Sequence, residues 1–298
     1  MGMYVQAAME RQFGVFGMIR SVGKLLFAAF LAGAAVMQAT VPAMAQGRGD
    51  LLVAPTRIVL DGKRGTEVIL NNVGAEEATY RISLELRRMT PDGALAEVSE
   101  EEVNQLEKAA LQMIRYAPRR VTLPPNQPQA IRIGVRAPAG LADGEYRAHM
   151  LFRAIPKAEA ITEKINTQVE GLSIALTPIY GVTIPIIIRR GRLEATASIA
   201  NGRLEKREQG GHALAFDMSR AGQGSVYGEV RVTRQGDSEP LMVARGIAIY
   251  PELENRTVRL SIPDELAEAL RSAPVTIAFY EAPNAGGGLI SKIDTALQ

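Results

Sequence analysis

Two β-sandwiches in tandem, with one short helix inserted in the first, is the all-β fold that the sequence predicts, and three observations carry the prediction. Apolar and polar residues alternate in short runs, the period-two pattern of strands. Clusters of Gly, Pro, Asn and Asp punctuate those runs as turns between strands do. The chain has 298 residues, no Trp and few other aromatics, so Val, Ile, Leu and Thr must build a core, and in a chain long enough for about two domains they favour β structure.

Residues 1–45 stand apart from this pattern. Arg20 and Lys24 precede an apolar run from Leu25 to Val36, and Ala43-Met44-Ala45 supplies the small residues of a cleavage site. That is the layout of a secretory signal peptide. The run is well short of the ~20 residues of a membrane anchor, so no stable membrane insertion is expected once it is cleaved. The stretch MIRSVGKLLFAAFLAG is complete as a signal start, so translation is expected to begin at Met18. The leader holds three of the 34 basic residues and one of the 32 acidic ones, which leaves the rest of the chain balanced. Charge therefore gives no case for nucleic-acid or membrane binding. With no cysteine in the chain, disulfides, thiolate nucleophiles and Cys-based zinc sites are excluded.

The first sandwich is expected over residues 46–190. Leu51 to Leu60, Glu67 to Leu70 and Thr79 to Arg88 read as strands, ended by Asp61-Gly62, by Asn71 to Gly74 and by Pro91-Asp92-Gly93. From Ser99 to Met113 the period changes. Ser99 with Glu102 makes a capping box, and Val103, Leu106, Ala110 and Met113 share one face, which predicts a helix. Arg120 to Leu123, Gln129 to Val135 and Gly144 to Arg153 resume the β pattern. With the strand that follows, about seven strands fit a Greek-key sandwich of immunoglobulin type.

That following strand is the anomaly. In LSIALTPIYGVTIPIIIR, Leu172 to Arg189, every even position is apolar. At ~3.3 Å per residue it would run roughly 55 Å, about three times a usual strand. Pro178 and Pro185 have opposite parity, so their missing donors fall on opposite edges, which a central strand does not tolerate. One reading builds Tyr180 to Arg189 into the chain's own sheet and leaves Leu172 to Leu176 along or beyond an edge, available to another protein. The other reading is two ordinary strands with a turn at Pro178 to Gly181.

The second sandwich is expected over residues 191–298. Short strands recur at Ala213 to Met218, Ser225 to Thr233, Leu241 to Ile249, Thr257 to Ile262, Val275 to Tyr280 and Leu289 to Ile293, with a helical turn or more from Pro263-Asp264-Glu265 through Leu270.

Taken in order, VAPTRIVLDG, RRVTLPPNQPQAIRI, GEYRAHMLFRAIP and the long alternating strand resemble the periplasmic chaperones of the chaperone–usher pathway of pilus (fimbrial) assembly. The resemblance covers most of Leu51 to Arg189, with RAGQGSVYGEVRV a looser match in the second half. It implies an L-shaped pair of immunoglobulin-like sandwiches in the periplasm, holding pilus subunits until an outer-membrane usher receives them. The mechanism it implies is donor-strand complementation, a form of β-augmentation. The donor strand would be Leu172, Ile174 and Leu176, with Tyr180, Val182 and Ile184 continuing it. Members anchor the subunit's C-terminal carboxylate on an Arg of the first strand, matched here by Arg57, and on a Lys of the long strand. That Lys falls near Thr183 to Pro185, where this chain has no base, so Arg57 acts alone or Arg189 or Arg190 substitutes. Self-association of the free form through the same edge is a further expectation, with Pro185 working against it.

No enzyme, cofactor or metal site is expected. His149 and His212 are the two histidines; His149 shares parity with Arg147 and Arg153, which reads as a solvated face, and His212 follows Gly210-Gly211 in a turn. Gly286-Gly287-Gly288 lacks the Lys-Ser/Thr and helix of a phosphate loop. A structural or adhesive two-domain protein of the cell surface is the rival reading, which accounts for strands and export but not for Arg57 or the overlong strand.

Overall fold

Leu51 to Leu60, expected as one strand, is divided between two sheets. β1 (Leu51–Ala54) and β2 (Ile58–Leu60) flank Pro55, which has no N–H to give to a ladder. The computed structural model describes residues 51–156 and 179–297, all within one unit, Arg48–Gln298. The expected leader and the positions Leu172, Ile174 and Leu176 lie outside the described residues.

After these come β3 (Thr66–Asn72), β4 (Ala78–Glu85), a hairpin of β5 (Arg87–Met89) and β6 (Leu95–Glu97), helix α1 (Gln105–Met113), β7 (Ile114–Ala117), β8 (Arg120–Leu123), β9 (Pro128–Val135), β10 (Gly144–Ile155) and β11 (Gly181–Arg190). One sheet has the order β1-β3-β9-β7 and the facing one β2-β11-β10-β4-β8. That is the A-B-E-D against C-F-G arrangement of an immunoglobulin sandwich. Two of its strands change sheet part-way, β1 to β2 at Pro55 and β7 to β8 at Pro118.

Tyr146, Ala148, Met150 and Phe152 of β10 and Ile184, Ile186 and Ile188 of β11 point inward on Val68, Leu70, Ile131 and Ile133. The Tyr146 hydroxyl donates to the carbonyl of Ala142 at 2.7 Å, the tyrosine corner of this fold.

The expected helix at Ser99 starts later. Glu100–Glu102 is one 3₁₀ turn, and Ser99 makes no side-chain cap. Val103 is extended, and Asn104 caps α1 instead through a reciprocal box with Glu107. The carboxylate of Glu107 is also gripped by Arg88 Nε and Nη2 at 2.7 and 2.8 Å, so the helix starts where a cap and a cation meet. Ala110 and Met113 enter the core, whereas Leu106, expected beside them, is 50% exposed.

The second sandwich contains β12 (Ala195–Lys206), β13 (His212–Gly222), β14 (Val226–Arg234), β15 (Met242–Ile249), β16 (Asn255–Ile262), helix α2 (Asp264–Arg271), β17 (Val275–Glu281) and β18 (Leu289–Thr295). Its sheets run β12-β13-β16 and β15-β14-β17-β18 around Phe216, Val230, Ile249 and Phe279.

Outward-facing residues of the first sandwich join the two. Ile187 packs with Met89, Ala248 and Tyr250 in a small apolar seam. Arg147 stacks 3.8 Å over the Tyr250 ring and pairs with Glu252. The hairpin reaches across as a strap: Met89 N donates to Glu252 Oε1 at 2.7 Å, and Thr257 N donates to the Pro91 carbonyl at 3.0 Å. At its tip Gly93, with φ 89°, lets the Arg256 guanidinium lie where a Cβ would stand.

Candidate functional site

β11 is paired on both sides over only part of its length. β10 flanks it from Gly181 to Arg190, whereas β2 meets it only at Ile186, Ile187 and Ile188. From Gly181 to Pro185 the outer edge has no partner among the described residues, and Pro185 is the last position before β2 begins. Beyond the strand Tyr180 still accepts from Ala154 N at 2.9 Å, while the side chains of Ile179 and Tyr180 are 47% and 55% exposed. An edge of free backbone groups continuing into bare apolar side chains is the arrangement that β-augmentation uses.

The expected donor positions divide accordingly. Tyr180 is open and Val182 half-buried. Ile184 is a correction: it is 1% exposed and fills the core of its own sandwich, so its side chain is not one to lend. Period two could not separate the two fates, because inward-facing and lent residues share one parity.

Where β2 begins, the chain borders a cleft of about 820 Å³ lined by Pro55 to Val59, Arg189 and, from the second sandwich, Gly224 to Glu229, Arg245 and Glu281 to Ala285. Arg57 lies 4.3 Å over the Tyr227 ring, and its Nε and Nη2 are buried without a hydrogen-bond partner. Burial holds this guanidinium below its ordinary value; Tyr250 and Glu145 oppose the shift, and Arg189 adds to it. A half-buried cation with two unused donors in one plane is matched in shape and charge to a carboxylate.

The two other candidate anchors are occupied. Arg189 Nε pairs with Glu145 Oε2 at 3.1 Å, and its Nη2 donates to the Ser225 carbonyl at 2.9 Å. Ser225 N and Oγ donate to that same Glu145 oxygen at 3.0 and 2.9 Å. Arg189 thus fastens one sandwich to the other. Arg190 is at the surface, 3.8 Å from Asp143 Oδ1. Where the resemblance implies a lysine, the Thr183 hydroxyl donates to Glu85 Oε1 at 3.0 Å. The buried Glu145 was missed in the sequence, since nothing local marks a carboxylate that meets its partners across 44 and 80 residues.

His149 is the second correction. Expected on a solvated face, it is 0% exposed, and neither ring nitrogen has a partner. Its register neighbours are Glu85 and Pro185. Burial pushes its pKa down to about 3, with Arg147 and Arg87 contributing. His212 Nδ1 donates to Asp264 Oδ1 at 2.8 Å. Among the described residues no cluster of three metal-ligating side chains occurs, and no helix is long and apolar enough to cross a membrane.

No family model matches the chain, and no curated protein matches it. Solved structures do. The chain is similar to the chaperone DraB of E. coli at 13% identity, over 84% of this chain and 97% of that one, with a TM-score of 0.42. The Pseudomonas aeruginosa chaperone CupB2 matches at 15% identity over 83% and 100%, TM-score 0.39. The complex of chaperone CsuC with tip adhesion subunit CsuE, from the chaperone–usher Csu pili of Acinetobacter baumannii, matches at 12% over 83% and 99%, TM-score 0.40.

Proposed function

We propose that this chain is a periplasmic chaperone that captures pilus subunits by lending them a strand and passes them to an outer-membrane usher. The observation that carries the proposal is the outer edge of β11, unpaired from Gly181 to Pro185 among the described residues and continuing into exposed Ile179 and Tyr180. On this reading residues 1–45 direct export, and a subunit strand adds to the free edge. Leu172, Ile174 and Leu176 fill the groove of an incomplete subunit, main-chain bonds giving affinity and alternate side chains giving register. Arg57 supports the same reading, as a half-buried residue lining the cleft beside β11 whose Nε and Nη2 have no hydrogen-bond partner. The subunit's C-terminal carboxylate is its counter-ion.

The test is co-expression with small secreted pilus subunits, read as subunit that co-purifies with this chain from the periplasm. Ile174→Asp should leave folding intact and abolish capture, because a carboxylate would enter an apolar groove at a cost of several kcal/mol. Arg57→Ala should weaken capture by at least tenfold, as loss of a charge-assisted bidentate contact does. Normal yield from Ile174→Asp would remove the donor assignment, and unchanged binding by Arg57→Ala would move the anchor elsewhere.

A further inference from the structure

Three arginines stand side by side across three strands on the outer face of the β2-β11-β10-β4-β8 sheet. Register sets Arg153 of β10 against Arg81 of β4 and Arg81 against Arg120 of β8. Phe152, Tyr80, Ile82 and Val121, their chain neighbours, are buried in the core, so strand alternation turns all three outward, and all three are exposed.

Like charges directly opposite one another weaken a sheet. On other sheets of the chain arginines face carboxylates: Arg132 meets Glu67, Arg259 meets Glu205, and Arg245 meets Glu229. Here the flanking outward positions are Ser83 and Leu151 on one side and Thr79 and Thr122 on the other. The two threonine hydroxyls bond each other at 2.9 Å. Among the described residues no ion pair involves Arg81, Arg120 or Arg153. On β11, the residue opposite Arg153 is Gly181, which brings no side chain to screen it.

We infer that this row is a docking surface for an acidic polypeptide segment of another protein. Adjacent strands lie ~4.8 Å apart, so the row is straight and spans about 10 Å of open sheet. A single small anion reaches one or two of these guanidiniums. An extended chain covers the row in about four residues, with carboxylates at alternate positions to meet the arginine forks. Because the chain outside its expected leader is balanced in charge, the attraction is local to this face. The inference does not rest on the donor-strand reading: that reading concerns the backbone edge of β11, and this one concerns side chains on the face of β10, β4 and β8.

The test uses the full chain and a labelled hexaglutamate peptide at low ionic strength, read by fluorescence anisotropy. Arg81→Gln should weaken peptide binding about tenfold and Arg81→Gln/Arg153→Gln further, whereas Arg132→Gln, at an arginine already paired, should leave it unchanged. Arg81→Gln should also unfold at a urea concentration no lower than the parent chain, since it relieves a repulsion. Arg120→Gln provides the same reading if Arg81→Gln does not fold. Absence of peptide binding, or equal loss in Arg132→Gln, would overturn the inference. So would a row that binds phosphatidylglycerol vesicles and not the peptide, which would make the partner a lipid surface.

Discussion

At the scale of single residues the chain carries two ionisable side chains in costly places, Arg57 and His149. A buried polar group without a partner costs on the order of 1–3 kcal/mol, so each calls for an explanation. For Arg57 the explanation we propose is its role as anchor for a subunit's C-terminal carboxylate, with the Tyr227 ring as its neighbour in the free chain. For His149 it is a dry location: neutral imidazole beneath a surface where Arg87 and Arg147 supply positive charge and Glu85 faces it across the ladder. Because its folded pKa of about 3 lies below its ordinary 6.5, the unfolded chain binds the proton more tightly. Stability should thus be complete above pH 6.5 and fall as the pH drops toward 3, by about 1.4 kcal/mol per pH unit from this group. Urea midpoints of the parent chain and His149→Leu between pH 6.5 and 4 measure this; parallel slopes would show that another group carries the acid sensitivity.

At the scale of elements the insertion between β4 and β7 was partly legible. The change of period announced a helix, and Pro91-Asp92-Gly93 announced a turn, which became the tip of the β5–β6 hairpin. The start of the helix was misread because Ser99 with Glu102 and Asn104 with Glu107 both satisfy the capping pattern. Arg88 decides between them, and its contact with Glu107 is made across 19 residues. Asn104→Ala removes the acceptor for Glu107 N and should lower stability by about 1 kcal/mol, read in urea melts. Ser99→Ala should change almost nothing, as its side chain makes no cap.

At the scale of the molecule the two sandwiches are joined along one face by three kinds of contact. Glu145 with Arg189 and Ser225 lies near the cleft, the Ile187 seam is central, and the hairpin strap meets Glu252 beyond β4. Glu252 accepts from Met89 N and pairs with Arg147, a side chain itself nearly buried. Glu252→Ala leaves that cation without its carboxylate and should cost about 2–3 kcal/mol, less than a fully buried pair because Glu252 is partly solvated. Since the loss falls on the joint and not on either core, calorimetry should show one cooperative transition dividing into two. A single transition at lower temperature would mean that the seam and the Glu145 clamp suffice.

The sequence by itself determined the all-β class and most of the strands, though not β6, β7 or β12. These follow from period two and from turn residues, which act over a few positions of chain. Only the tertiary structure decided which strands are neighbours. From that follow the half-open edge of β11, the burial of His149, the engagement of Arg189 and the alignment of Arg81, Arg120 and Arg153. Alternation states which side of a sheet a residue occupies, but what lies beside it or over it is set by pairings between segments tens of residues apart.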